Sequence, residues 1–283
     1  RMKAYLILMR LDKPVGTLLL LWPTLAALVM ASDGIPSTEL TVIFSLGTIL
    51  MRSAGCVIND IADREFDRHV KRTKHRPLTT GEIKLWHAQV LFFGLVCCAA
   101  CLLVFLAPLT QKLAVIGLLL AIMYPFAKRY THLPQVVLGA AFSWGIVMAW
   151  AEASGTLKID ALLMFIASLL WIVAYDTQYA MVDRDDDLKI GVKSTAILFG
   201  KWDRTIIALL QACALLILCL LGMKLAFQNF YWISIAAAAG LFIFQANLIR
   251  SRERGHCLLA FKNNVWVGAL IFIGSVLESF NLF

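Results

Sequence analysis

Apolar and polar residues are distributed along this chain in long blocks. Runs of about twenty mainly apolar residues, the length that crosses a ~30 Å hydrocarbon layer, recur from end to end. On that ruler the pattern predicts nine membrane-spanning helices, over 15–32, 39–60, 86–107, 109–125, 134–151, 160–182, 205–223, 231–249 and 265–282. Pro14 precedes the first, and Pro23 falls inside it, where the missing N–H is expected to kink the helix. Prolines at 36, 108, 125 and 134 mark expected breaks.

Composition agrees with the pattern. Of 283 residues, 60% are hydrophobic and 16% charged, against about 25% charged in soluble domains, and the mean hydropathy is +0.79. These values exclude a soluble domain with one anchor and predict one all-α, polytopic unit over residues 1–283. The net charge of +8 does not indicate nucleic-acid binding, because the positive residues flank the apolar blocks. The segments 1–14, 61–85, 126–133, 183–204 and 250–264 hold 4, 7, 2, 5 and 4 Lys plus Arg, 22 of the chain's 26. The opposite loops hold only Lys112, Lys158 and Lys224. Positive residues concentrate on the cytoplasmic side of spans, so the expected topology puts the N-terminus in the cytoplasm and the C-terminus outside. The first apolar run is long enough to remain as a span, and no cleavage pattern follows it, so no secretory signal is expected. Cys97, Cys98 and Cys101 have no His or acid beside them and are expected to be inert helix-packing residues. The five histidines show no metal-ligand spacing.

The exceptions to the apolar pattern carry the chemistry. Asn59, Asp63 and Asp67 recur at i, i+4, i+8, one face of a helix, a turn apart. Asp60 lies about 100° around that helix. The spacing recurs 120 residues later in Asp183 and Asp187, with Asp176 and Tyr179 on nearly the same face. Four helices separate the copies, so both ends emerge on the same side and can converge. Stacked like charges destabilise a helix, and anions are disfavoured at its C-terminus, so something positive must compensate. Oxygen ligands from Asp and Asn suit a hard cation, and Mg²⁺ completes its octahedron with water and phosphate oxygens. Basic residues follow both faces: Arg68, Lys71, Arg72, Lys74 and Arg76, then Tyr124, Lys128 and Arg129, then Lys189 and Lys193. Arg and Lys clamp phosphate oxygens by charge-assisted hydrogen bonds. Arg52 lies inside the second span, seven residues before Asn59. A charge at that depth should face a cavity and can bind an anionic group.

These residues resemble a known family. "NDIADREFD" (59–67) is similar to the NDxxDxxxD motif of UbiA-type intramembrane prenyltransferases, "DRDDD" (183–187) to their second DxxxD, and "YPFAK" (124–128) to their YxxxK. The stretches "RLDKPVGTLLLLWPT", "KRYTHLPQVVLGAAFSWG" and "AYDTQYAMVDRDDDLKIGVKSTAILFG" look like the bacterial 4-hydroxybenzoate branch of that family, which makes a ubiquinone precursor. The resemblance implies a nine-helix bundle around a central cavity that opens laterally to lipid. Loops after the second and sixth spans would cap it on the cytoplasmic side of the bacterial inner membrane. It also implies that Asn59, Asp63, Asp67, Asp183 and Asp187 hold Mg²⁺ and a polyprenyl diphosphate, that Lys128, Arg72 and Arg76 grip the diphosphate, and that Tyr124 lines it. Arg52, or its rival Arg129, would bind the carboxylate of 4-hydroxybenzoate. Ionisation of the allylic C–O bond would let the ring carbon ortho to the hydroxyl attack, with Asp183 as the expected acceptor of the phenolic proton. Two alternatives stay open on the residues alone: another aromatic or tetrapyrrole acceptor, and a cation-coupled transporter using the same acids.

Overall fold

The computed structural model describes residues 2–32 and 34–281, and those residues are helical or in short connections. Twelve α-helices follow in order: α1 Met2–Leu8, α2 Val15–Ala31, α3 Thr38–Asp67, α4 Pro77–Thr80, α5 Leu85–Leu103, α6 Pro108–Tyr130, α7 Pro134–Ser154, α8 Ile159–Ile190, α9 Thr195–Phe199, α10 Asp203–Lys224, α11 Asn229–Leu248 and α12 Arg254–Asn281. Among the described residues eight helical segments are long and apolar enough to cross a membrane, and the 17-residue α2 is a shorter apolar helix. Nine apolar helices therefore stand where nine spans are expected, and the protein is a multi-pass membrane protein.

The boundaries differ instructively. Hydropathy ends the second and sixth spans at 60 and 182, whereas α3 continues to Asp67 and α8 to Ile190. The backbone stays helical through both acidic faces because their charges are compensated by cations from elsewhere in the fold. Pro125 does not break α6, which runs on to Tyr130. Pro108 and Pro134 instead sit at helix starts, where a missing N–H costs nothing. The last helix begins at Arg254, well before the expected 265; residue 282 lies outside the described residues. The short helices α1, α4 and α9 have no counterpart in the hydropathy pattern. Cys97, Cys98, Cys101 and Cys213 are exposed on outer helix faces, and only Cys56 and Cys257 are buried, so most of the cysteines are not helix-packing residues.

The bundle is inverted relative to a soluble protein. Val90, Phe93, Val115, Ile233, Ile243 and Trp266 point outward, as faces that meet lipid must. The interior holds Trp150, Tyr175, Tyr231 and Ile146. It also contains a chain of amides across α8, α10, α11 and α12. Gln178 donates to Gln245 at 3.1 Å, Gln211 to Gln245 at 2.8 Å, Gln245 to Asn263 at 2.9 Å, Asn264 to Gln178 at 3.0 Å, and Trp171 to Asn264 at 2.8 Å. Hydrocarbon offers no substitute partners, so these groups satisfy one another and fix α8 against its neighbours. That fixes the height and rotation of the acidic face on α8.

Candidate active site

The ends of α3 and α8 face each other across a cavity of about 150 Å³. It brings together Asn59, Asp63 and Asp67 from α3, Asp183 and Asp187 from α8, Tyr124 and Lys128 from α6, and Arg72 and Arg76 from the α3–α4 loop. Val70 and Thr73 from that loop, with Val192 and Ser194 from the α8–α9 loop, also line it. Of the residues the sequence singled out, Arg52 and Arg129 are outside this lining, as are Arg68, Lys71, Lys74 and Lys189. Arg129 donates to the carbonyl of Ala62 and packs over the rings of Phe66 and Phe126, each 5.3 Å from its Cζ.

Three of the acidic positions, Asp63, Asp67 and Asp183, meet cations from outside their own helices. Lys128 donates to Asp63 Oδ2. Arg76 Nη1 donates to Asp67 Oδ2 at 2.7 Å and to Asp60 Oδ1 at 2.9 Å. Arg72 engages Asp183 through Nη2 at 2.6 Å and Nε at 3.0 Å, and reaches the hydroxyl of Tyr179 through Nη1. The Arg72 guanidinium also stands 4.6 Å from the Tyr179 ring, which stacks on Phe261. Burial opposes the charges of Arg72 and Arg76, but Tyr179 and Asp183 around the first, and Asp60 and Asp67 around the second, outweigh it and raise both above the usual arginine value.

Asp60 is buried and turned away from the cavity. It accepts from Arg10 Nη2 at 2.8 and 3.0 Å as well as from Arg76. The segment after α1 is thereby tied to the α3–α4 loop, a link between residues 50 apart that motif spacing does not reveal. Asp185 and Asp186, off the acidic face of α8, pair with Arg254 instead.

The charge balance leaves some oxygens open. Asp63 Oδ1 is buried without a hydrogen-bond partner. Among the described residues no cation lies within ion-pair distance of Asp187 or of Asp176, a further cavity-lining residue two turns deeper on α8 than Asp183. Among the described residues no three of His, Cys, Asp and Glu form a closed metal cage. An orphaned carboxylate oxygen, the Asn59 amide and the Asp187 carboxylate on one small cavity fit a hard cation that completes its shell with ligand oxygens.

A second cavity of about 360 Å³ adjoins the first, with Tyr124 lining both. Its walls are apolar, with Phe44, Leu103, Phe142, Trp144 and Met148 among them, and among the described residues Arg52 is the one charged group in that lining. The Nε of Arg52 is buried and unpartnered. Arg52 and Asp176 lie within electrostatic reach of one another and of both Tyr124 and Tyr175. Sequence reasoning placed Arg52 at this depth, but nothing in the spacing brings Gln135, whose amide faces Asp176, to the same point.

Comparison with known proteins adds a lineage to this geometry. The UbiA prenyltransferase family matches residues 20–274. The 4-hydroxybenzoate octaprenyltransferase of Chromohalobacter salexigens is 54% identical over 278 residues, 98% of this chain and 93% of that protein. The protein of the same name from Vibrio cholerae is 54% identical over 276 residues, 98% of this chain and 97% of its own. Among solved structures, a UbiA homolog from Aeropyrum pernix in its apo form superposes with a TM-score of 0.82 at 23% identity, covering 92% of this chain and 97% of that one. A UbiA homolog from Archaeoglobus fulgidus bound to GPP and Mg²⁺ gives 0.71 at 18% identity, covering 99% of both. At these identities the two structures speak to the fold.

Proposed function

This chain belongs to the UbiA prenyltransferase family, and from that premise we propose that it transfers a polyprenyl group from a polyprenyl diphosphate to 4-hydroxybenzoate. The bond forms at the ring carbon ortho to the hydroxyl, and the product is a ubiquinone precursor. One observation carries the reading: a compact charged cavity, able to hold a diphosphate, shares Tyr124 with an apolar cavity in which Arg52 is, among the described residues, the one charged lining residue. The first suits the diphosphate of the donor, the second its tail and the anionic acceptor. Relatives at 54% identity that carry the name 4-hydroxybenzoate octaprenyltransferase support the choice of acceptor. The unbroken course of α3 and α8 through the acids favours an enzyme over an ion-coupled transporter, whose sites sit at interrupted helices.

Asn59, Asp63, Asp67, Asp183 and Asp187 would hold Mg²⁺, which when bound would supply positive charge to stabilise the departing pyrophosphate. Lys128, Arg72 and Arg76 add theirs by exchanging part of their present pairing with carboxylates for phosphate oxygens. The allylic C–O bond breaks, the leaving pyrophosphate takes the electron pair, and the aromatic walls shield the cation from water. Arg52 receives the acceptor's carboxylate and directs the hydroxyl end of the ring toward Tyr124 and Asp176. Attack by the ortho carbon forms the C–C bond, loss of the ring proton to the released pyrophosphate restores aromaticity, and the phenolic oxygen takes back the proton it lent to a neighbouring carboxylate. Asp183, the acceptor expected from the motif, is held by two hydrogen bonds from Arg72. Arg72 Nε also reaches the other carboxylate oxygen at 3.2 Å, so both oxygens of Asp183 are engaged, and the phenolic proton passes instead to Asp176, which makes no ion pair among the described residues.

The positive-side bias of the loops supports a site at the cytoplasmic face, in this reading that of a bacterial inner membrane. Purified protein with Mg²⁺, an allylic diphosphate and 4-hydroxybenzoate should yield the ring-prenylated acid by mass spectrometry. Prenylation of a rival aromatic acid in its place would overturn the acceptor assignment. Asp176→Asn should lower turnover more than Asp183→Asn lowers it at saturating Mg²⁺ and donor, and the reverse order would return the proton to Asp183.

A further inference from the structure

Arg52 owes its position to a residue that has no side chain. A Cβ built on Gly16 would stand 2.4 Å from Arg52 Nη2, 2.7 Å from Nε and 2.9 Å from Cζ. These are distances that real Cβ atoms do not show, so the guanidinium occupies the space a side chain at position 16 would take. Gly16 lies in the first turn of α2 with an ordinary negative φ, so its backbone does not require glycine. Glycine is a poorer helix former than alanine, and what it provides here is room. Other tight glycines, such as Gly145 against Thr24, Gly117 against Trp144 and Gly222 against Tyr231, bring uncharged side chains close and serve helix packing. Among the described residues, Gly16 is the glycine whose close neighbour is a charged group. The ring of Phe142 faces the same guanidinium, 5.4 Å from its Cζ. An arginine fixed in its plane presents a fork of donors that matches a carboxylate.

We infer that Gly16 is a positioning residue for the acceptor: its bare backbone is the floor on which the Arg52 guanidinium lies, and Phe142 fixes the plane of that guanidinium. This rests on the reading of Arg52 as the partner of the acceptor's carboxylate. A methyl group at position 16 would meet the end of a flexible side chain rather than backbone, so the helix would accommodate it and the guanidinium would move. The damage then falls on recognition of the acid and spares the fold and the donor site.

The test compares Gly16→Ala, Arg52→Gln and the double variant in purified, detergent-solubilised protein. Gly16→Ala should raise KM for 4-hydroxybenzoate by about ten-fold or more, the scale of a lost charge-assisted hydrogen bond. KM for the allylic diphosphate and the melting temperature should stay near those of the parent. Added to Arg52→Gln, Gly16→Ala should raise the acid's KM no further. If Arg52→Gln raises that KM and Gly16→Ala leaves it unchanged, the positioning role is wrong and the reading of Arg52 stands. If Arg52→Gln itself leaves it unchanged, the reading fails and takes the inference with it. Turnover of 4-hydroxybenzamide, which keeps the ring and hydroxyl but has no charge, distinguishes recognition from misfolding. Gly16→Ala should leave the turnover of the amide close to that of the parent, and an equal loss on acid and amide would overturn the inference.

Discussion

Replacing Asp60 with asparagine separates an anchor from a metal ligand. Asp60 belongs to the acidic motif by sequence, yet its carboxylate is 1% exposed, does not line the cavity, and accepts from Arg10 and Arg76. Removing one partner of a buried ion pair costs about 3–5 kcal/mol. That figure needs a discount here, because the Arg10 and Arg76 side chains are 20% and 15% exposed and Arg76 keeps Asp67 at 2.7 Å. A loss of about 2 kcal/mol remains, measurable as a lower melting temperature in detergent. Arg10→Met should give a similar loss, since it strips the same carboxylate of one cation. In steady-state kinetics Asp60→Asn should raise KM for the allylic diphosphate, because Arg76 is held from one side only, and leave the Mg²⁺ concentration for half-maximal rate unchanged. A variant with normal stability and a sharply raised Mg²⁺ requirement would refute this reasoning and return Asp60 to the metal.

Three further outcomes follow from the same geometry. Asp63→Asn and Asp187→Asn should each raise the Mg²⁺ half-saturation point about ten-fold or more, the scale on which metal sites weaken when a supporting group is lost, whereas Asp185→Asn, 73% exposed and paired with Arg254, should not. Lys128→Met should raise the donor's KM while leaving that of the aromatic acid near the parent value, measured by varying each substrate in turn. Gln245→Leu leaves Gln178, Gln211 and Asn263 without their shared partner in the bundle interior, and should destabilise the protein by about 1–3 kcal/mol in a thermal melt, without shifting the Mg²⁺ requirement.

What could be read in the sequence divides along physical lines. Spans are set by runs of apolar side chains, so the eight long apolar helices among the described residues, and the shorter α2, were legible. Their ends were not, because hydropathy falls at Asn59 and Asp183 although the backbone hydrogen bonds continue to Asp67 and Ile190. The i, i+4 spacing of the acids was legible, being a property of one helix. Their partners were not: Arg72 and Asp183 are 111 residues apart and Lys128 and Asp63 are 65 apart, and nothing local encodes such pairs. Arg129 and Lys128 are adjacent in the chain, yet helical rotation sends one into the cavity and the other onto Phe66 and Phe126. The part played by Gly16 was invisible for the same reason, since a missing side chain signals nothing until the neighbour that fills its space is known.

The central claim is that two acidic helix ends, 120 residues apart in sequence, hold one magnesium–diphosphate complex. It is tested most directly by diffraction from the protein with Mn²⁺ in place of Mg²⁺ and a non-ionising analogue of the allylic diphosphate. The account predicts anomalous density in the cavity, bridged to α3 through Asn59 or Asp63 and to α8 through Asp187, with the diphosphate against Lys128, Arg72 and Arg76. Metal bound at one helix end alone, or a diphosphate lying outside this cavity, would contradict it.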